Sequence, residues 1–160
     1  MAGDLFLKEG TIATLEGNGG SLTTLTAVAA DDATLDLRSG GLSGAVQNPL
    51  LQFELVCQWA TITSIVKDTV ATELYLLAAL DGTNYPDVDT TGGASALPPQ
   101  SYKGNFTCVK APTANTNMRF NSPLLSLAPF LYKAYILNRS GQTISAGWTL
   151  KVMSARYQYS

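Results

Sequence analysis

Short stretches in which apolar and polar residues alternate recur along the chain, a pattern typical of β-strands half buried in a sheet. Three such stretches lie in the first fifty residues: 11–15, 21–28 and 35–37. The glycine-containing segments 17–20 and 40–41 follow the first and the third, and they predict turns. No stretch is long and periodic enough to predict a helix.

Two strands are predicted in the middle of the chain. Residues 51–64 predict one strand or two, with an inward apolar face formed by Phe53, Leu55, Cys57 and Trp59. Residues 72–80 are almost continuously apolar. Although Leu and Ala are also strong helix formers, this run is short and ends in the turn sequence Asp81-Gly82, so we predict a strand buried on both faces.

The pattern in the second half of the chain predicts four further strands after a long irregular segment. Residues 81–101 form a long irregular segment, which is uncommon in compact domains and typical of functional or mobile loops. Further strands are predicted at 102–109, 117–121, 130–138 and 148–157. The last two are joined by residues 139–142, a connection that favours a hairpin.

Eight or nine such strands predict an all-β fold, an antiparallel two-sheet β-sandwich of jelly-roll type. We expect a single domain over residues 1–160, in which residues 1–20 form an extended N-terminal arm or an edge strand.

Composition narrows the class of protein further. The chain has 160 residues, of which 46% are hydrophobic and only 14% charged. That apolar content argues against disorder, and no apolar run is long enough for a membrane helix. We therefore expect a folded domain with a polar, weakly charged surface and no membrane association.

Charge is distributed unevenly along the chain. All twelve acids lie between Asp4 and Asp89 together with three bases, whereas residues 90–160 carry seven bases and no acid. Either the two halves interleave in one sandwich and their charges cancel, or the subunit is polarised for contacts between subunits. The bases are scattered rather than clustered, which argues against nucleic-acid binding.

The absence of histidine restricts the possible chemistry. It removes the commonest general base, the commonest metal ligand and the usual partner of a Ser or Cys nucleophile. Cys57 and Cys108 lie in strand-like segments, where buried free thiols are expected, and whether they pair stays open. We expect no enzymatic activity, no cofactor and no metal.

Two acidic groups offer alternatives to this expectation. Asp81, Asp87 and Asp89, with Asn84, could form a calcium loop, but their spacing departs from known patterns and favours a solvated turn. Glu54 and Glu73 could face each other as a glycosidase pair, but outward-facing strand positions are favoured.

The glycine-rich segments 17–20 and 40–44 lack the lysine and the helix of a phosphate loop.

The aromatic residues could form a carbohydrate platform or a core. Because most of them lie in predicted strands, core packing is favoured; they are Trp59, Trp148, Tyr75, Tyr85, Tyr132, Tyr135, Tyr157 and Tyr159. Tyr157 and Tyr159 share one side of the last strand and are equally suited to a subunit contact.

One combination of motifs resembles a known family. The segment Leu-Leu-Ala-Ala-Leu-Asp-Gly-Thr-Asn-Tyr-Pro-Asp at 76–87 is followed by a Gly/Pro-rich loop, a Pro-led strand at 129–138, Asn138-Arg139-Ser140-Gly141 and a final strand. This pattern, over residues 51–157, resembles jelly-roll decoration (cement) proteins of tailed bacteriophages. The resemblance implies a virion structural protein on the outer surface of the capsid, which bridges subunits of the major capsid protein.

The resemblance also implies self-association, with a homotrimer favoured and a dimer as the alternative. Apolar residues so near the N-terminus need a surface to dock on. We expect the N-terminal segment to grip the capsid, and the alternative is that it packs on its own sandwich as the first strand of the jelly roll. The predicted partner-binding residues are Leu5, Phe6, Leu7, Ile12, Tyr157 and Tyr159. The alternative functions are a receptor- or carbohydrate-binding jelly-roll module of a phage head or tail fibre, and a bacterial sugar-binding module.

Overall fold

A computed structural model describes residues 5–38, 50–63, 65–89 and 95–159, with residues 5–9, 11 and 156–159 described by their backbone alone. These residues form ten strands: β1 Leu5–Gly19, β2 Ala27–Ala29, β3 Leu35–Asp36, β4 Leu50–Cys57, β5 Val70–Ala79, β6 Tyr102–Thr107, β7 Met118–Asn121, β8 Leu125–Ser126, β9 Leu131–Asn138 and β10 Trp148–Tyr159. A short 3₁₀ helix spans Pro99–Ser101. No helix capable of spanning a membrane occurs in the described part of the chain.

The strands form two antiparallel sheets of five strands each. Sheet I has the order β1-β10-β4-β7, and β8 continues the line of β7 along β4. Sheet II has the order β2-β9-β5-β6, and β3 continues the line of β2 along β9. If β7 and β8 are counted as one interrupted strand, and β2 and β3 as another, each sheet has four strands. Successive strands then change sheet everywhere except at β5–β6. This is the strand order of a jelly roll, so the predicted fold class is confirmed.

The main core lies between the two sheets. Burial alternates strictly along β4, so that Phe53, Leu55 and Cys57 face inward, as predicted, and the adjacent Trp59 is also buried. Trp148 of β10 and Phe106 of β6 fill the same layer. The predicted inward face of residues 51–64 is therefore confirmed.

Strand β5 is buried on both faces, as its continuous apolar run predicts. Leu74 and Leu76 belong to the main core, while Tyr75 and Leu77 face outward from sheet II into a second cluster with Tyr135. This second cluster is covered by side chains of the long irregular segment: Tyr85, Val88 and Leu97. Residues 90–94 of that segment lie outside the described residues.

The predicted hairpin between the last two strands is wrong. Strand β9 belongs to sheet II and β10 to sheet I, so the connection crosses one end of the sandwich. The Asn138 side chain holds this connection in place: its Nδ2 donates to the carbonyls of Leu22 and Gln142, and its Oδ1 accepts from Ser140. These bonds tie the chain after β9 to the β1–β2 connection instead of returning it along β9.

The predicted boundaries near the N-terminus also change. The expected turn at residues 17–20 is wrong in part, because β1 continues to Gly19, where the absence of a side chain lets the Trp148 indole pack directly on the backbone. The predicted strand at 21–28 shortens to β2, since Leu22 pairs with Ile144 of the β9–β10 connection. The segments 40–41 and 40–44 lie outside the described residues.

Candidate interaction surfaces

The structure brings the predicted partner-binding residues of the two chain termini into one ladder. In the pairing of β1 with β10, Leu5 lies opposite Tyr159 and Leu7 opposite Tyr157. Directly opposed residues of antiparallel strands, and residues two apart, share one face of a ladder. Four of the six predicted residues therefore occupy a single face, and Phe6, opposite Gln158, lies on the other.

This ladder extends past the rest of sheet I. The pairing of β10 with β4 ends at Ala155, opposite Leu50, whereas the pairing with β1 continues to Tyr159. We call Leu5–Glu9 and Ala155–Tyr159 the terminal ribbon. Among the described residues it is two strands wide, and a strand edge of this kind can pair with another chain. Partner binding by these residues stays a prediction.

Ile12, the remaining predicted residue, lies on the outer face of sheet I. Its side chain is 63% exposed and borders a depression of about 260 Å³. Met153 lies opposite Ile12, and Gln52 opposite Met153, so the three form a row across the sheet. Lys151 and Glu54 form the next row and give the depression a polar side.

The two oppositely charged halves of the chain interleave. Within the part of the chain that the structure describes, three ion pairs join an acid of residues 1–89 to a base of residues 90–160: Glu54–Arg119 at 3.0 Å, Asp31–Lys133 at 3.1 Å and Glu73–Arg139 at 3.0 Å. These contacts support the interpretation that part of the charge asymmetry cancels within one subunit. They are partly exposed, so each adds at most about 1 kcal/mol to stability.

The glutamates do not form a catalytic pair. Glu54 belongs to β4 of sheet I and Glu73 to β5 of sheet II, and each carboxylate is bound by its own arginine. Glu73 also accepts a hydrogen bond from the Tyr75 hydroxyl, at 2.9 Å, and burial together with this bond raises the pKa of that tyrosine. The outward-facing interpretation of the two glutamates is therefore confirmed.

The Asp81 loop is a hydrogen-bonded turn. The Asp81 carboxylate accepts from the backbone N–H groups of Thr83 and Asn84 and from the Asn84 side chain, at 2.7 to 2.9 Å. The hydrogen bond from the Asn84 backbone is the largest cause of the lowered pKa of Asp81. No cluster of three or more His, Cys, Asp or Glu side chains that could hold a metal occurs among the described residues.

The aromatic residues serve mainly as core. Five of the candidates for a sugar platform are buried: Trp59, Trp148, Tyr75, Tyr132 and Tyr135. Tyr85 is half buried in the second cluster, and Tyr157 and Tyr159 are described by backbone alone. Tyr102, which the sequence patterns did not single out, is 41% exposed and packs edge-on against Tyr75. The core interpretation is confirmed for the five buried rings.

Both cysteines are buried and free, as expected. Burial raises the pKa of the Cys57 thiol to about 12, with a smaller contribution from Cys108, and burial also raises the pKa of Cys108. Thiols that keep their protons are poor nucleophiles, so these two serve packing rather than chemistry.

The ends of the sandwich carry apolar residues that the sequence patterns missed. Val109 and Leu80 are 77% and 74% exposed, and Val66 is 59% exposed. Val66 and Val109 are each followed by a lysine, and Leu80 is followed by an aspartate. The pairing of an apolar residue with a following charged residue is visible in the sequence. Only the topology shows which end of the sandwich each apolar residue occupies.

No protein-family model matches the sequence, and no curated protein matches it either. Among solved structures, the infectious bursal disease virus VP2 subviral particle aligns with 95% of this chain and 33% of its own, at 12% identity and a TM-score of 0.43. The structure of the infectious bursal disease virus Gx strain aligns with 95% of this chain and 32% of its own chain, at 14% identity and a TM-score of 0.41. This chain thus spans about one third of those chains, and both scores are too low to carry a conclusion about function.

Proposed function

We propose that this chain is a non-enzymatic structural protein of a tailed-bacteriophage virion that decorates the outer surface of the capsid and bridges subunits of the major capsid protein. The proposal rests first on the sequence resemblance of residues 51–157 to jelly-roll decoration proteins. The observation in the structure that carries it is the terminal ribbon, in which Leu5 and Leu7 of β1 and Tyr157 and Tyr159 of β10 share one face.

The ribbon is suited to docking on another protein. Four apolar or aromatic positions on one face of a two-stranded ladder supply burial, and strand edges that pair with no described residue would supply main-chain hydrogen bonds to an added strand. Repetition of one such contact around an oligomer would give avidity on a symmetric lattice. A homotrimer is the form that we expect to act on the capsid.

The buried aromatic rings support this function over the carbohydrate-binding alternative. A sugar platform needs two or three exposed rings on one face. Both tryptophans and three tyrosines are instead committed to the two hydrophobic clusters.

Co-sedimentation with expanded capsids of the phage that encodes the chain tests the proposal. We expect the full chain to bind. A chain lacking residues 1–10, and the variant L5S/L7S, should keep the β-sheet circular dichroism spectrum but lose binding at least tenfold. The control K8S alters the same ribbon at a position opposite Arg156, away from the apolar face, and should bind like the native chain.

Two results would count against the proposal, and a third would leave the decision to L5S/L7S. If the full chain does not bind capsids but binds cell-surface glycans, the receptor-binding alternative replaces it. Binding of L5S/L7S with native affinity would remove the ribbon from the contact. Unfolding of the truncated chain would show that residues 1–10 are core, and L5S/L7S would then decide the role of the ribbon.

A further inference from the structure

The outer faces of the two sheets, which point away from the main core, differ in what covers them. On sheet II the chain covers its own outer face, because Tyr85, Val88 and Leu97 of the long irregular segment pack on it. The described residues provide no such cover on sheet I, where Ile12 at one margin is 63% exposed and Leu124 at the other is 46% exposed. In the described part of the chain, the outer face of sheet I is therefore a sheet surface without a partner.

The residues on this face form rows across the sheet. In one row, Lys151 of β10 lies opposite Glu54 of β4, and Glu54 lies opposite Asn121 of β7. In the next row, Met153 of β10 lies opposite Gln52 of β4. Both rows line the depression of about 260 Å³. Each row thus carries different side chains on its β10 half and its β4 half.

The charges on this face are only partly matched within one subunit. The Glu54 carboxylate accepts a hydrogen bond from the Arg119 guanidinium through one oxygen, Oε1, at 3.0 Å. Lys151 is half-buried and forms no ion pair with any residue that the structure describes. Because a carboxylate can accept several hydrogen bonds, an acid that can take a further donor lies in the same row as a base without an acidic partner.

We propose that the outer face of sheet I packs on the same face of a second copy of this chain, about a twofold axis that runs parallel to the strands between β10 and β4. Such an axis exchanges the two halves of every row. It brings Lys151 of each copy against Glu54 of the other copy, and Met153 against Gln52. Because the contact joins identical surfaces, each of these complementary pairs occurs twice.

The same axis brings together the two exposed apolar margins. Ile12 of β1 lies in the row of Met153 and would contact the β7–β8 edge of the other copy, where Leu124 directly precedes β8. Met153 can fill the depression beside Gln52 of the other copy, because an unbranched methionine adapts to irregular gaps. The face is therefore complementary to itself in charge and in apolar contact.

The size of this face predicts a weak dimer. Four strands about 4.8 Å apart, over the seven residues of β10 that pair with β4, cover roughly 450 Å² per copy. Stable interfaces bury about 800 Å² per partner, so we expect a reversible contact. A twofold contact closes on itself as a dimer, and the homotrimer expected on the capsid would need a separate contact.

The direction of the axis determines where the terminal ribbons lie. Rotation about an axis parallel to the strands leaves the strand direction unchanged, so both ribbons project from the same end of the dimer. The contact itself needs neither a capsid nor the ribbon, and it is therefore independent of the proposed function.

Sedimentation velocity from about 1 µM to about 1 mM protein, without capsids, tests the contact. The native chain should convert reversibly from monomer to dimer over this range. K151E and E54K should each weaken dimerisation at least tenfold, because each brings like charges together at both contacts. The charge swap K151E/E54K, and an equimolar mixture of K151E with E54K, should form the dimer again, because opposite charges then meet at both contacts.

Three further variants separate this contact from general effects of charge and hydrophobicity. K103E changes the net charge as much as K151E does, but on β6 of sheet II, and should dimerise like the native chain. I12S removes an exposed apolar margin and should weaken dimerisation severalfold. V109S removes a valine that is also exposed but follows β6 of sheet II, and it should leave dimerisation unchanged.

The proposal is overturned if the native chain stays monomeric up to about 1 mM, or if it forms trimers without dimers. In a monomeric chain, a loss of stability in I12S would indicate that the face is covered within the subunit instead. Equal weakening by K103E and K151E also overturns the proposal, as does failure of both the swap and the mixture while the variants keep the native circular dichroism spectrum. If a charge variant unfolds, I12S decides, and native-like dimerisation of I12S overturns the proposal.

Discussion

The indole N–H of Trp59 donates a hydrogen bond to the Ser140 hydroxyl at 3.0 Å, at the end of the sandwich that the β9–β10 connection crosses. Trp59 follows β4 of sheet I, and Ser140 lies in the connection between the two sheets. Ser140 in turn donates to the Asn138 side chain at 2.7 Å, and that side chain is fully buried. A buried polar chain therefore links β4, the end of β9 and the β1–β2 connection.

Replacement of Asn138 should destabilise the protein more than replacement of an exposed asparagine. In N138A, the carbonyls of Leu22 and Gln142 each lose one of two donors, and the buried Ser140 N–H loses its acceptor. The expected cost is about 2–4 kcal/mol in the free energy of unfolding. The matched control N121A removes an exposed side chain from β7 and should cost less than about 0.5 kcal/mol. Urea denaturation measures both, and similar losses for the two variants would contradict the role of Asn138.

Adjacent glycines at the end of β1 should differ sharply in their tolerance of a methyl group. A Cβ on Gly19 would collide with the Trp148 ring, whereas a Cβ on Gly20 would meet no atom within 4 Å. G19A should therefore lower the free energy of unfolding by about 1–3 kcal/mol, and G20A should be close to neutral. Thermal denaturation compares the two, and equal melting temperatures would show that Trp148 moves aside without cost.

The buried thiols should resist alkylation in the folded protein. At pH 8 iodoacetamide should label neither Cys57 nor Cys108 until denaturant is added, because burial raises the pKa of both thiols. The variant T113C places a thiol on an exposed loop and should react at once. Rapid labelling of a native cysteine, seen by mass spectrometry, would contradict the burial.

The Cys57 thiol also makes stability depend on alkaline pH. The folded protein holds this proton up to a pKa of about 12, whereas the unfolded chain releases it near 9. The unfolded state therefore binds fewer protons above pH 9, and stability falls as the pH rises through this range. C57A should flatten this alkaline slope in denaturation curves measured from pH 8 to pH 11, although its stability at pH 7 will be lower because of the smaller side chain.

Asp36 should contribute to the decrease in the free energy of unfolding at acid pH. Its hydrogen bond with the Arg38 side chain is the largest cause that lowers its pKa from 3.8 to about 2. The stabilisation is present above pH 4 and is lost as the pH falls from about 4 toward 2, since the unfolded carboxylate takes up its proton first. Because the pair is partly exposed, the effect should stay below about 1 kcal/mol. Denaturation of D36N between pH 5 and pH 2 should show a flatter slope, and an unchanged slope would contradict the prediction.

The sequence by itself determined the local structure of most strands. Alternation of apolar residues placed Phe53, Leu55 and Cys57 inward, and the continuous run of β5 indicated burial on two faces. Both results depend on the two-residue period of a strand, a local property that neighbouring residues express directly. The absence of histidine likewise restricts the possible chemistry through composition alone, because a missing side chain is missing in every fold.

Only the tertiary structure decided which strands pair and which charges meet. A hairpin at residues 139–142 is consistent with local turn chemistry, yet β10 lies in the other sheet. The connection is held by contacts such as that from Asn138 to Leu22, 116 residues away. The pairing of Leu5 with Tyr159 and the separation of Lys67 from Asp81 by the length of β5 follow from the same topology. The physical reason is that strand pairing satisfies backbone hydrogen bonds between distant segments, and the local pattern of a strand does not specify its partner.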